Sequence, residues 1–276
     1  MSGTDRISQL PDTVLTQILS YRPTKEAVRT CLFSEQWRDV WASVPVLDFD
    51  FADFWSDDIF IRYENKIYAT FFQARKKAIY VCEQSECHNN FVRFIDTVLD
   101  QRQAQPIERF RLVWQYQVKP YREIDHPVGR WVLRVLQQSP RVLSIYVQPN
   151  LINIDVPNLA FTCSSLEEMK LHIDNNTRLE VLNPVSFSLP HLRKLNLGYF
   201  KIGGNSMNDL LLGCPNLEEL ELYACELDLS HISCGNLKSL AIAGCCCHSA
   251  EIRVSIPSLQ YLEVAVVSCQ TEGFFF

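Results

Sequence analysis

No stretch of this sequence approaches the roughly 18 unbroken apolar residues of a membrane-spanning helix. The N-terminus, MSGTDRISQLPDTVL, carries charge too early for a secretory leader. The expectation is a protein of the cytoplasm or nucleus with no membrane partner. An excess of basic charge is also missing, since 26 Lys and Arg face 32 Asp and Glu, for a formal charge of −6. General phosphate-backbone binding needs many cations on one face, so nucleic acid is not an expected partner. A Gly-rich phosphate loop is absent, because Gly203-Gly204 has no following Lys and reads as a turn. None of the six histidines sits in a recognisable nucleophile, base and acid motif. No catalytic residue is assigned, and the chain is not expected to be an enzyme. Biased tracts are lacking too, and with 47% of its 276 residues hydrophobic the chain can bury a core of one or two domains.

What is present is a repeat. The frame LxxLxL occurs as Leu166, Met169, Leu171, then Leu192, Leu195, Leu197, then Leu217, Leu220, Leu222, then Leu237, Leu240, Ile242, then Leu259, Leu262, Val264. First positions lie 26, 25, 20 and 22 residues apart. Weaker copies are read at Val142, Ile145, Val147 and at Ile107, Phe110, Leu112, which makes about seven units. The last apolar pair of each frame alternates as a strand does, so both side chains enter one face. One unit buries almost nothing alone, whereas stacked units form a parallel strand ladder over a continuous core. Leu210, Leu211 and Leu212 read as a returning helix, and Trp131 to Leu136 as another. Pro190, Pro215, Gly235 and Pro257 mark where a return ends and a strand begins. Alternation turns Lys170, His172, Lys194, Asn196, Glu219, Glu221, Ser239 and Ala241 outward, side by side, as candidate binding residues. His172 and His191, flanking repeat strands, are expected to be exposed or locally bonded.

The first 50 residues differ. Leu10, Val14, Leu15, Ile18 and Leu19 recur at helical spacing around Pro11, a residue tolerated in a first turn. Tyr21-Arg22-Pro23 stops that helix, Thr24 is a candidate N-cap for a second through Val28 and Leu32, and Ser34 for a third carrying Trp37, Val40 and Trp41. Three short helices enclose few side chains, so this surface, both tryptophans included, is expected to need a partner.

Residues 5 to 50 resemble an F-box in Leu10-Pro11, Ile18-Leu19-Ser20, Pro23-Thr24-Lys25-Glu26-Ala27-Val28, Trp37, Trp41 and Leu47-Asp48-Phe49. Asn90-Phe91 to Leu99 and Leu212-Gly213-Cys214-Pro215-Asn216-Leu217-Glu218-Glu219-Leu220 extend the likeness, so that the whole chain resembles plant F-box proteins with leucine-rich repeats, of the kind related to FBD proteins. The fold this implies is α/β: a three-helix F-box over 1–50, a helical linker region over 51–105 and a repeat solenoid over 106–276. The resemblance also implies docking of a Skp-type adaptor, and through it a cullin, with the repeats selecting a protein for ubiquitination. On that implication the adaptor contacts are Leu10, Pro11, Val14, Leu15, Ile18, Leu19, Pro23, Val28, Leu32, Trp37 and Trp41. Arg22 stands where such sequences usually carry an apolar residue, and Glu35-Gln36 where they carry a basic pair. These departures leave open a non-ligase scaffold with repeat-mediated protein binding. The relatives run on through further repeats and an FBD domain, whereas this sequence stops at Phe274-Phe275-Phe276, which reads as a truncation with a marginally stable repeat domain.

Eleven cysteines at irregular spacing are read as mostly reduced thiols. Cys245-Cys246-Cys247-His248 has zinc-ligand chemistry, but adjacent residues do not converge on one tetrahedral ion. Cys225 and Cys245 share a repeat position that suits a small buried side chain. Cys82, Cys87 and His88 are read as loop residues, and no metal or cofactor is expected. Arg75-Lys76-Lys77 after Tyr68, Phe71 and Phe72 reads as the solvated end of an amphipathic helix. Asp48, Asp50, Asp53, Asp57 and Asp58 lack the Gly and Glu of a calcium loop and read as linker.

Overall fold

Each frame LxxLxL delivers its apolar pair into a strand, and the strands stack in parallel. A computed structural model describes residues 7, 9–54, 73–102, 106–115, 127–148, 157–174, 180–182, 186–249, 251–265 and 268–269. The chain begins with helices α1 (Asp12–Leu19), α2 (Thr24–Arg29) and α3 (Glu35–Val40), then strand β1 (Val46–Asp50) and helix α4 (Gln73–Gln101). Next come β2 (Arg109–Gln115), α5 (Val128–Leu136), β3 (Val142–Gln148), β4 (Glu168–Ile173), β5 (Glu180–Val181), β6 (Lys194–Gly198), β7 (Phe200–Gly203) and α6 (Gly204–Gly213). The last strands are β8 (Glu219–Tyr223), β9 (Glu226–Asp228), β10 (His231–Ser233), β11 (Ser239–Ala243), β12 (Cys246–Cys247), β13 (Arg253–Ser255), β14 (Tyr261–Ala265) and β15 (Ser268–Cys269). The main sheet runs β1-β2-β3-β4-β6-β8-β11-β14, and a second ladder runs β15-β12-β9-β7-β5. This is the expected α/β architecture of N-terminal helices and a leucine-rich-repeat solenoid.

Two rows of side chains explain the stack. Leu47, Phe110, Leu143, Met169, Leu195, Leu220 and Leu240 lie in one register row, and Phe49, Leu112, Ile145, Leu171, Leu197, Leu222 and Ile242 in the next. None of the fourteen is more than 5% exposed. Each such side chain removed from water stabilises by roughly 1.5–3 kcal/mol before ordering entropy is counted.

The register corrects the reading of one weak repeat. Leu143 pairs with Met169 and Ile145 with Leu171, so the third strand's frame is Pro140, Leu143, Ile145, two residues earlier than Val142, Ile145, Val147. A further strand went unread: β1 is the first of the main sheet, with Leu47 opposite Phe110 and Phe49 opposite Leu112. The acidic run around it is therefore partly structural, because Arg111 binds Asp48 at 2.6 Å and Asp50 at 3.4 Å across that pairing. Asp57 and Asp58 lie outside the described residues.

The exits from three strands share one turn. Tyr199, Ala224 and Gly244 each follow a main-sheet strand with φ of 66°, 48° and 63°. Their N–H groups donate to Tyr223 O, Ala243 O and Ala265 O, at 3.0, 2.8 and 2.9 Å, in the neighbouring strand. The positive φ swings the chain toward the second ladder, a conformation that glycine adopts without strain and Tyr or Ala does not. The buried thiols of Cys225 and Cys245 follow directly, with the Cys225 N–H donating to Cys245 Sγ at 3.4 Å. The hydrogen bond to Cys245 and then burial hold the Cys225 thiol well above its ordinary range.

Return helices cover the other side of the core. Phe91, Ile95, Val98 and Leu99 of α4 are buried, Asp96 accepts the Trp131 indole N–H at 2.8 Å, and Arg134 of α5 binds Asp100 at 2.7 Å. Trp114 and Trp131 stack at 5.6 Å. Cys82, Cys87 and His88 thus belong to a helix and not to a loop, and His88 is buried with its ring 5.2 Å from that of Trp114. Arg75, Lys76 and Lys77 lie in the first turns of α4, while Tyr68, Phe71 and Phe72 fall outside the described residues.

Candidate functional site

The N-terminal helices build a small core of their own from Leu15, Leu19, Ala27, Trp37, Val40 and Val44. That core consumes side chains read from the sequence as adaptor contacts. Leu15, Leu19 and Trp37 are buried, Leu10 packs against them, Trp41 touches both this core and the main one, and Val28 packs against the main core. The expectation that both tryptophans need a partner is corrected accordingly: the helices enclose Trp37 with help from Val44, and Trp41 is half-buried at the junction with the repeats.

What remains outward is a different apolar set. Val14 and Ile18, one helical turn apart, are 38% and 44% exposed, and Tyr21, Leu32 and Phe33 are 82%, 83% and 75% exposed. Pro11 is exposed and Pro23 half-buried. Tyr21 and Phe33 were not legible as surface, because only the burial of Trp37 decides which way the helices face. Arg22 lies in the open, its guanidinium 3.7 Å from Glu26 one turn on. Thr24 is the first residue of α2 and not its cap: its hydroxyl accepts the Asp48 N–H at 2.7 Å, tying the helix to β1. Ser34 does occupy the position before α3, without a side-chain cap bond. Arg102 donates to Val44 O at 2.5 Å and to Pro106 O at 3.3 Å, and burial lowers its pKa to about 10. Glu108 N–H donates to Pro45 O at 2.8 Å.

The second surface is the outward face of the main sheet. Register brings Glu168, Lys194, Glu219 and Ser239 into one row, Lys170, Asn196, Glu221 and Ala241 into the next, and Tyr146, His172, Gly198 and Tyr223 into a third. All eight residues singled out from alternation therefore lie on one face. Lys194 is paired with Glu219 at 3.0 Å. Of the third row, alternation singled out His172 alone; register puts all four residues one past each frame's last apolar residue.

His172 organises this row; it is half-buried and, as one of the two expected alternatives, locally bonded. Its ring lies 4.8 Å from Tyr146 and 5.9 Å from Tyr223, the latter nearly parallel at 11°, with Tyr199 6.4 Å away. Tyr223 sits two strands away, and the rings meet because Gly198 has no side chain between them. His172 Nε2–H donates to Asn196 Oδ1 at 2.5 Å, and Asn196 Nδ2 donates to Glu221 Oε2. Burial lowers the His172 pKa more than the Asn196 bond and Glu221 raise it, so the ring is neutral near pH 7. Burial and then the charge of Asp174 raise the pKa of Tyr199.

Other candidate clusters resolve into packing and pairing. Cys245 and Cys247 are buried, Cys246 is half-buried, and His248 Nε2 meets Glu226 Oε1 at 2.5 Å, with Lys201 on the same carboxylate at 2.8 Å. No group of three or more metal-ligating side chains is assembled among the described residues. No helix among them is long and apolar enough to cross a membrane.

Comparison with known proteins matches both the N-terminal and the repeat parts of the chain. A family model described as "FBD-associated F-box protein At5g56370, LRR repeats" matches residues 128–273, and an F-box domain model matches residues 7–49. Similar proteins of Arabidopsis thaliana include putative F-box/LRR-repeat protein At5g41840, 29% identical over 98% of this chain and 43% of its own length. F-box/LRR-repeat protein At3g58930 is 29% identical over 94% of this chain and 50% of its own, and F-box/LRR-repeat protein At3g59210 is 31% identical over 94% and 49%. The chain spans about half the length of these curated relatives.

Proposed function

The chain belongs to the FBD-associated F-box proteins with leucine-rich repeats, and from that we propose that it is a substrate-recognition subunit of a Skp, cullin and F-box ubiquitin ligase. Its F-box docks the Skp-type adaptor, its repeats hold a target protein, and it works in the cytoplasm or nucleus. The chain itself makes and breaks no bond: ubiquitin transfer takes place on other subunits, and the receptor raises the local concentration of target lysines beside them.

The observation that carries this reading is the outward apolar set Val14, Ile18, Tyr21, Leu32 and Phe33 on a helical unit whose own core is already filled. Exposed apolar side chains in that number on so small a unit mark a protein-docking face. Co-purification with a Skp adaptor tests it. Val14→Asp with Ile18→Asp is expected to abolish capture while leaving the thermal melt unchanged, since neither residue is in the core. Capture that survives the double change, or no capture of the wild type, overturns the reading.

A second reading, a scaffold whose repeats bind a partner outside any ligase, draws on Arg22, which places an ion pair with Glu26 beside the exposed apolar residues. Adaptor binding that appears only on Arg22→Leu supports it. A wild-type complex that also retains cullin removes it.

A further inference from the structure

Resting on the reading of the repeats as a target-binding face, we propose that the Tyr146, His172, Tyr199 and Tyr223 cluster is the target's anchor site and that it takes an arginine side chain from a basic segment. Three features of the face select this chemistry. First, it offers exposed aromatic surface: Tyr223, stacked with His172 and beside Tyr199 with ring centroids 5.7 Å apart, is still 45% exposed. A planar guanidinium stacks on such rings more readily than a compact ammonium does.

Second, among the described residues no cation forms an ion pair with Glu221, whose carboxylate is reached by the Asn196 amide, a neutral donor. Further along the face, Glu219 is already paired with Lys194, Glu168 stands opposite the same lysine, and Glu263 accepts from the Tyr261 hydroxyl at 2.8 Å. His172 adds no positive charge while it is neutral. Lys170, one row away on the same strand, is the cation that opposes the visitor, and it leaves the Tyr223 side of the cluster to Glu221.

Third, the neighbouring strand is cut low. Ala241 and Ala243 stand opposite Glu221 and Tyr223, so a side chain approaching from that direction meets the Tyr223 ring on the side away from His172 and the Glu221 carboxylate together. A basic segment laid across the strands there stacks its guanidinium on tyrosine and pairs it with Glu221 in one contact.

The test uses the full chain bound to its Skp adaptor and fluorescein-labelled nonapeptide pools, random except for a fixed central Arg, Lys, citrulline, Glu or phosphoserine. Anisotropy is expected to rank Arg above Lys, with Arg about fivefold or more tighter than its uncharged isostere citrulline. Glu221→Gln and Tyr223→Ala each are expected to erase that preference, whereas Lys201→Gln on the second ladder leaves it intact. Equal binding of the Arg and citrulline pools, a preference for the Glu or phosphoserine pool, or an unchanged preference in Glu221→Gln overturns the proposal. Glu221→Gln removes only an exposed carboxylate, so the test survives if Tyr223→Ala folds poorly. Failure of the ligase reading shows separately, as loss of adaptor capture.

Discussion

The His172 ring occupies the space that a side chain on Gly198 would need: a β-carbon built there falls 2.8 Å from His172 Cγ and 2.9 Å from Nδ1. The glycine is thus a condition for the aromatic cluster, since it lets a ring on β4 lean across β6 to meet Tyr223 on β8.

Gly198→Ala is expected to push the ring outward and break its bond to Asn196. Because the clash is with a side chain that has somewhere to go, stability falls by only about 1 kcal/mol. The readout is NMR of the His172 ring protons, which lose the shielding given by the parallel Tyr223 ring. A ring spectrum unchanged from wild type defeats this account of the cluster.

Thr24→Val keeps the shape of the side chain and removes the acceptor of the Asp48 N–H. A buried donor left without a partner costs about 1–3 kcal/mol, and Thr24→Ser is expected to recover most of it. Chemical denaturation of the three proteins checks the order wild type, Ser, Val.

Gly244 and Ala224 hold the same left-handed turn in successive repeats, so exchanging their residue types has opposite effects. Gly244→Ala meets no atom closer than 3.8 Å, so its cost is backbone strain alone, about 1 kcal/mol. Ala224→Gly relieves the same strain against a larger loss of chain entropy and is expected to stabilise by about 0.5 kcal/mol or less. Equal and same-signed shifts in melting temperature count against the turn as described.

The positions just before the strands alternate in charge: Glu108 meets Arg141 at 3.5 Å, Arg141 meets Glu167 at 2.8 Å, Arg193 meets Glu218 at 2.9 Å, and Lys238 meets Glu218 at 3.4 Å. The hydrogen bond from Arg141 lowers the pKa of Glu167, and that from Arg193 lowers the pKa of Glu218. A carboxylate with a depressed folded pKa contributes its stability above the unfolded value and loses it as pH falls through the folded one. The melting temperature is therefore expected to hold above pH 4.5 and to decline below it, less steeply in Glu167→Gln/Glu218→Gln. Identical acid slopes for wild type and double variant refute the contribution of these pairs.

The repeats were readable because Leu195, Leu197, Leu220 and Leu222 are both locally patterned and structurally required. The alignment of Val142-Leu143-Ser144-Ile145-Tyr146-Val147 was not, since Leu143, Ile145 and Val147 continue one apolar alternation and only pairing with Met169 and Leu171 shows which two of them close the frame. β1 escaped notice for a related reason: its partner, β2, lies some 60 residues later, and Leu47 and Phe49 lack the leading leucine of the frame. At the N-terminus, helical spacing located α1 but could not say that Leu15 faces inward and Ile18 outward, because that division depends on Trp37 arriving from α3. Among the candidate binding residues, strand alternation found the face, while the lean of His172 over Gly198 is a three-strand relationship that no local pattern carries.

β1 leaves the helical unit and is at once a member of the sheet, pinned by Thr24 to Asp48, by Arg102 to Val44 and by Pro45 to Glu108. On the function proposed above, the chain is built as a caliper rather than a leash: with one jaw on an adaptor and the other on a target, the span between them would be set by the fold, and a lysine would be modified because of where it falls in that gap. Two proteins gripped equally well would meet different fates if their lysines lay at different heights above the anchor.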